Sequence, residues 1–408
     1  MEWYKGNGAL TVVGLLLSCC VLWVACSKDD PKPDFTITGF DPGKGAANLY
    51  VTINGEGFDT LSSIAVSFNG ADASVISATR TAIVTVVPAH ATTGRIAVAI
   101  NNNKVTSASD FVILPGKWVQ KGILPSNKER VLGLGFSVGN KGYLATGDRR
   151  AFYVPLADRM NDMMEYDPST GTWKEKKPLG FKLAGGLGMV IDNKIYVGIG
   201  QTDQGEMTNQ FWEYDPAADQ WTRKADFPGE PRFEGIAFGA GGKGYAGTGY
   251  DLTSSFSDWW QYDPITDKWE RRSDFAGADE WSFAHFLTGF VLNEKIYMGV
   301  GFKSDKQGWW EYNPTNDQWT QKSDFPGKMA WGASGLVLGN RGYIMGAGTE
   351  CWEYIPLSDS WVQKAFLGQR YMGVAFGIGN KGYYVTGITG VGGSESELAA
   401  DVWEFSPQ

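Results

Sequence analysis

The chain of 408 residues is long enough for two or three domains, and its 43% apolar and 20% charged residues are those of an ordinary globular protein. Its 54 Gly, 17 Trp and 17 Tyr against two His point to β-structure with many tight turns, and leave little imidazole for metal binding or proton transfer. The formal charge of -9 argues against a nucleic-acid partner. Cys19, Cys20 and Cys26 lie near the N-terminus, so Cys351 stands alone in the rest of the chain and no disulfide framework is expected.

Lys5 precedes an apolar run from Ala9 to Ala25, which stops at Cys26-Ser27-Lys28-Asp29-Asp30-Pro31. That order reads as an export signal, with an uncleaved N-terminal anchor as the alternative. Val24-Ala25-Cys26 resembles the end of a bacterial lipobox, in which the Cys is acylated and becomes the mature N-terminus. Trp23 departs from the Leu of that motif. Leu16-Leu17-Ser18-Cys19 matches it better by residue, but cleavage there leaves an apolar run exposed. Ser27-Lys28-Asp29-Asp30 resembles the acidic signal that passes some lipoproteins to the outer face of the outer membrane. The expectation is a signal peptide over 1–25, lipidation at Cys26, a linker over 26–33, and a lipid-anchored protein exposed on the cell outer membrane.

Short alternating strands follow at Phe35–Ile37, Leu49–Ile53, Ile64–Phe68, Ala82–Val87 and Arg95–Ile100, with turns every 8 to 15 positions, as in an immunoglobulin-like sandwich. Gly39-Phe40-Asp41-Pro42-Gly43, Ile53-Asn54-Gly55-Glu56-Gly57-Phe58, Phe68-Asn69-Gly70, Val87-Pro88 and Phe111-Val112-Ile113 together resemble an IPT/TIG domain over 34–114. The resemblance implies a spacer or interaction module. His90, in a predicted turn, reads as a surface residue without chemistry.

From 117 to 408 one unit recurs. Its aromatic strand ends in Tyr-Asp-Pro or a variant at Tyr166-Asp167-Pro168, Tyr214-Asp215-Pro216, Tyr262-Asp263-Pro264, Tyr312-Asn313-Pro314, Tyr354-Ile355-Pro356 and Phe405-Ser406-Pro407. A Gly-rich strand precedes each, and Trp173, Trp221, Trp269, Trp319 and Trp361 open the strand after the first five. A period of about 40–50 residues marks a propeller, whose units need neighbours to cover their apolar faces. Trp118 precedes the first full unit and the last unit lacks a Trp strand, so Trp118 is expected to complete the last blade and close the ring. The region resembles the Kelch family, with Gly-x-Gly or Thr-Gly in place of that family's Gly-Gly. The predicted fold is all-β: a small immunoglobulin-like (IPT/TIG) sandwich followed by a six-bladed Kelch-type β-propeller.

The repeated turns Asp167–Trp173, Asp215–Trp221 and Asp263–Trp269 could pass for calcium loops, but their recurrence reads as structural: Pro presets the turn and Asp caps it. The resemblance includes copper oxidases, which need two His; the propeller has only His285 and Cys351, and no cofactor or metal is expected. Site residues are sought in the loops entering the innermost strands, at the channel mouth. Thirteen residues before the Tyr of each second strand stand Arg130, Leu183, Arg232, Ala284, Ala330 and Arg370, and near them Glu234, Trp281, His285, Trp331 and Tyr371. Arg forks with aromatic planes suit a carbohydrate, particularly an acidic one; the alternative is that the Arg pair with neighbouring acids and hold the channel together. The functional expectation is a non-catalytic binder of a glycan or an envelope protein. Two alternatives stay open. One is a purely structural partner in an envelope complex; the other, implied by the resemblance because six-bladed Kelch proteins include sialic acid mutarotases, is a sugar mutarotase or epimerase with Glu234 as its acid-base group.

Overall fold

The computed structural model describes residues 34–407 except 61, 102, 150–157, 279–285, 302–307, 329–331, 347, 349 and 390–396. Strict alternation along Tyr50–Glu56 buries Val51 and Ile53 on one face, the period that makes half of a sandwich. Four strands, Thr36–Asp41, Tyr50–Glu56, Ala82–Val86 and Val75–Ala78, form one sheet; five, Lys44–Gly45, Asn103–Ile113, Gly94–Ile100, Ile64–Phe68 and Ala71–Ala73, form the other. Between them lie Phe35, Phe58, Phe68, Ile96 and Phe111. Asn103–Ile113 is the longest strand of the sandwich and is not among the five expected strands, because polar Lys104, Ser107, Ser109 and Asp110 interrupt its apolar pattern. Pairing with Gly94–Ile100 overrides that, and Ser107 mends the bulge between Arg95 and Ala97: its Oγ accepts the Ile96 N–H at 3.0 Å and donates to the Ser109 carbonyl at 2.7 Å. His90 lies exposed in a turn.

Six sheets, each with a run of four antiparallel strands, follow around a ring, so the second unit is a six-bladed propeller. Blade 1 is Leu134–Val138, Lys141–Asp148, Arg159–Asp167 and Thr172–Lys176. Blade 6 is Val374–Ile378, Lys381–Val385 and Asp401–Ser406, completed by Lys117–Ile123 from the start of the unit, with Trp118 opposite Phe405. The expected closure is therefore observed. The apolar cores lie between blades: one cluster joins Phe290, Tyr297 and Trp309 of blade 4 to Ile344 and Tyr354 of blade 5.

Within each blade the third-strand aromatic faces the outer-strand Trp, at 4.9 Å for Tyr166–Trp173, Tyr214–Trp221 and Tyr262–Trp269, and at 4.8 Å for the closing pair Phe405–Trp118. That Trp also reaches the preceding blade. Trp221 Nε1 donates to the Lys177 carbonyl at 2.8 Å, while Asp219, two residues earlier, accepts the Lys177 N–H at 2.8 Å and the Tyr214 hydroxyl at 2.6 Å. Ala225 is held the same way by Trp269 and Asp267, Ser273 by Trp319 and Asp317, and Ser323 by Trp361 and Asp359. At the closing blade Trp118 Nε1 donates to the Ala365 carbonyl, and the Pro115 carbonyl takes the Ala365 N–H.

The seam from blade 6 to blade 1 differs. Gly171 stands where the Asp would be, and among the described residues Tyr166 Oη and Trp173 Nε1 have no hydrogen-bond partner. This seam is tied at its inner end, where Thr386 Oγ1 accepts the Arg130 N–H at 2.7 Å and donates to the Arg130 carbonyl at 2.8 Å.

The Gly-x-Gly spelling of the second strands has a steric cause. The residue three past each second-strand Tyr is left-handed: Thr146, Ile199, Thr248, Val300 and Thr386 have φ of 50–60°, and Gly346 has 83°. In five blades Gly follows it. A methyl group on Gly147 would lie 2.7 Å from the Val131 carbonyl oxygen, and one on Gly387 2.6 Å from that of Tyr371, so only Gly lets the bulge pass the loop beside it.

Burial raises the carboxyl pKa of Asp219, Asp267, Asp317 and Asp359, but the Tyr hydroxyls, backbone N–H groups and nearby lysines or arginines outweigh it, and each is held below the usual carboxylate range. A depressed carboxyl contributes stability that is complete above its unfolded pKa of about 3.9 and is lost as pH falls through its folded value. Changing the four to Asn is expected to flatten the fall of Tm below about pH 4, and Asp267→Ala to cost about 1–3 kcal/mol at neutral pH by stranding the Tyr262 hydroxyl and the Ala225 N–H. Thermal melts across the acid range check both.

Candidate functional site

The loops that enter the innermost strands meet at one end of the channel, where a second left-handed ring occurs. Eleven residues before each second-strand Tyr stand Leu132, Gly185, Glu234, Phe286, Gly332 and Met372, with φ of 54, 58, 56, 55, 70 and 52°. Backbone bonds link neighbours around the annulus: Gly185 N–H to Leu132, Glu234 to Gly185, Phe286 to Glu234 and Met372 to Gly332, at 2.8–3.3 Å. All six residues line a 140 Å³ cavity at the mouth. It continues into a 470 Å³ channel walled by the inner strands.

Gly meets this backbone requirement without cost in blades 2 and 5. Leu, Glu, Phe and Met meet it at about 1–3 kcal/mol each. Four blades thus keep a strained non-Gly residue lining the mouth where a relaxed alternative exists, the pattern expected where a site needs those groups. Leu132, Glu234, Phe286 and Met372 are each half-buried, and Tyr371 beside Met372 is half-buried too, with burial raising its phenol pKa.

The three arginines do not line this mouth as a ring of open charge. Arg130 is fully buried: Nη1 and Nη2 clasp Asp162 at 2.7 and 2.8 Å, Nε donates to the Lys128 carbonyl, and Nη1 also donates to that of Thr146. Arg232 repeats the set with Asp258 and the carbonyls of Glu230 and Thr248, and Arg370 pairs with Asp401. Each pair ties the loop before the inner strand to the start of the third strand of its own blade, Arg370 through a single Nη2 contact, and the first two also hold the carbonyl of the left-handed bulge residue. Of the two sequence readings of these Arg, the geometry fits the one in which they hold the channel together.

The partner shares their uneven distribution. Four residues before the third-strand aromatic, blades 1, 3 and 6 have Asp162, Asp258 and Asp401, whereas blades 2, 4 and 5 have Gln210, Gly308 and Glu350. Arg and Asp are thus present together or missing together, a pairing legible in the sequence and missed there. Glu234 does stand at the mouth, on the annulus itself. Trp281, His285 and Trp331, and Cys26 at the N-terminus, lie outside the described residues. In blade 2 the second strand runs to Thr202 and the third resumes at Met207, so the connection between them is short. Its end is tied to blade 1 by Arg159, which donates to the Thr202 carbonyl and Gln201 Oε1. The turn aspartates likewise have protein partners: Asp167, Asp215 and Asp263 cap Ser169, Ala217 and Ile265 N–H at 2.9 Å, and each pairs with a second-strand Lys.

Residues 36–113 match the family described as IPT/TIG domain. No curated protein matches the chain. Among solved structures, one titled "Structure of YjhT" is similar with a TM-score of 0.56 at 14% identity, over 69% of this chain and 96% of that one, a likeness of fold.

The clasp makes Arg232→Ala a structural lesion, because it leaves Asp258 half-enclosed without its counter-ion. The expected loss is about 3–5 kcal/mol, most of it recovered in Arg232→Met with Asp258→Leu, where neither charge remains. Denaturant unfolding measures both; an unchanged midpoint for Arg232→Ala contradicts the clasp.

Proposed function

We propose that this protein is a lipid-anchored outer-membrane surface protein whose propeller mouth binds, without catalysis, the end of a carbohydrate chain, with the sandwich as spacer. The observation that carries the binding role is the strained annulus: Leu132, Glu234, Phe286 and Met372 held at φ above 50° around one small cavity. Apolar and aromatic groups beside one carboxylate suit a sugar, whose C–H faces pack on the former and whose hydroxyls donate to the latter. A cavity of 140 Å³ is smaller than the roughly 300–1,000 Å³ that encloses a whole small ligand, so it fits a protruding terminal residue better than a free metabolite.

With Arg130, Arg232 and Arg370 engaged by aspartates, the arginine requirement for an acidic sugar is not met by these three. A neutral glycan is the better-supported ligand, and a mutarotase built on those three arginines with Glu234 is the weaker reading. The anchoring part of the proposal rests on the lipobox-like Val24-Ala25-Cys26 and the acidic residues after it.

On a glycan array the full-length protein is expected to bind neutral-ended chains, and Phe286→Ala and Glu234→Gln to weaken binding about tenfold or more while Tm holds within about 2 °C. Equal binding by both variants, or no glycan bound, overturns the carbohydrate assignment; recovery of a single envelope protein lost in the same variants supports a protein ligand instead. Separately, Cys26→Ser is expected to abolish incorporation of labelled palmitate and release the protein from the membrane fraction.

A further inference from the structure

The sandwich carries a groove of its own. It measures 370 Å³ and is lined on one wall by Glu56, Gly57, Phe58 and Asp59, from the end of Tyr50–Glu56 and the loop after it, and on the other by Arg80 and Thr81, from the turn that enters Ala82–Val86. Backbone bonds fix the two walls together: the Gly55 N–H donates to the Thr81 carbonyl at 2.9 Å and the Phe58 N–H to the Arg80 carbonyl at 3.1 Å. Thr79 Oγ1 caps the turn by accepting the Ala82 N–H at 3.0 Å. The groove therefore rests on a held frame, and its volume falls within the roughly 300–1,000 Å³ of small-ligand sites.

Its charges are unspent. Arg95, Arg149, Arg223, Arg271 and Arg341 each have an acid within ion-pair distance, yet among the described residues the Arg80 side chain meets no hydrogen bond, ion pair or ring contact. Nor does that of Glu56. Both are exposed and border the same groove without coming within ion-pair distance of each other. Asp59, which takes the Ser62 hydroxyl at 2.5 Å, puts a second carboxylate on the wall of Glu56. Two acids facing one base across a groove suit a ligand that carries both charges, since a simple anion meets the acids and a simple cation meets the arginine.

We propose that this groove binds a phosphoethanolamine headgroup, the zwitterion of a membrane phospholipid, with its phosphate on Arg80 and Thr81 and its ammonium on Glu56 and Asp59. The guanidinium fork matches a phosphate, and a primary ammonium has three N–H donors for carboxylates, which a quaternary one lacks. The source is the membrane to which the chain is tethered, so the assignment rests on the proposed acylation of Cys26. Asp34 is the eighth residue after Cys26, a span of at most about 29 Å at full extension. The Asp34 carbonyl oxygen stands 2.4 Å from the place that a methyl group on Gly57 would take, so the groove lies at the tethered end of the sandwich, within reach of headgroups. Contact there fixes which way the sandwich stands on the membrane.

The test titrates the full-length protein in detergent with O-phosphoethanolamine, O-phosphocholine and inorganic phosphate, following the Thr81 backbone amide resonance. Phosphoethanolamine is expected to shift it saturably, the other two to bind at least about fivefold more weakly, and Glu56→Gln and Arg80→Gln each to weaken phosphoethanolamine about fivefold or more while Tm holds within about 2 °C. In phosphatidylcholine bicelles the same resonance is expected to move only when phosphatidylethanolamine is added. A response to the free headgroup but not to the lipid overturns the membrane assignment. No saturable shift, equal affinity for inorganic phosphate, or unchanged affinity in both variants overturns the site itself. The free-headgroup titration needs no acyl chain, so a failure of Cys26 to take up palmitate removes the anchor and leaves that result to stand by itself.

Discussion

The propeller depends on a grip that each blade takes on one peptide unit of the blade before it. An outer-strand indole N–H holds the carbonyl of a single residue and an Asp two positions earlier holds its N–H, as Trp269 and Asp267 do to Ala225 at 3.0 and 2.9 Å. The interblade cores are apolar and do not by themselves set a register; two oppositely directed hydrogen bonds to one residue do. Because the Asp also takes the hydroxyl of the Tyr that stacks on the Trp, packing within a blade and docking between blades share their atoms. Four seams carry the complete grip, the closing blade a version with a backbone carbonyl in place of the Asp, and the seam into blade 1 carries Thr386 at its inner end.

That rigidity lets the mouth hold strain. Four side chains in left-handed backbone would relax if the loops were free to move, and the annular hydrogen bonds, with the Arg130 and Arg232 clasps behind them, keep them in place. The buried Arg–Asp pairs are therefore supports of the site. Their worth lies in fixing loop to strand, since a buried ion pair adds little net stability against an apolar replacement.

Much of the architecture was legible because it repeats: the Tyr to Trp spacing gave the number of blades, and the mismatched ends gave the closure through Trp118. The partner of the turn Asp at 219, 267, 317 and 359 was not, since it lies 36 to 44 residues away in another blade, although Gly171 at that place in blade 1 marks an odd seam. The annulus left no trace because Leu132, Phe286 and Met372 have no preference for positive φ; tertiary bonds impose it. The arginines stand at three of six equivalent positions, and the acids that vary in step with them, Asp162, Asp258 and Asp401, are the sequence sign that they are paired rather than open.

Amide hydrogen exchange tests the central claim most directly. Lys177, Ala225, Ser273 and Ser323 lie just past the outer strands, where a surface backbone N–H would exchange within seconds to minutes if only water satisfied it. The interblade grip predicts that these four amides exchange as slowly as the third-strand amides of their blades, opening only with global unfolding. Exchange at the rate of a solvated loop would contradict it, and would mean that the blades are held by apolar contact alone.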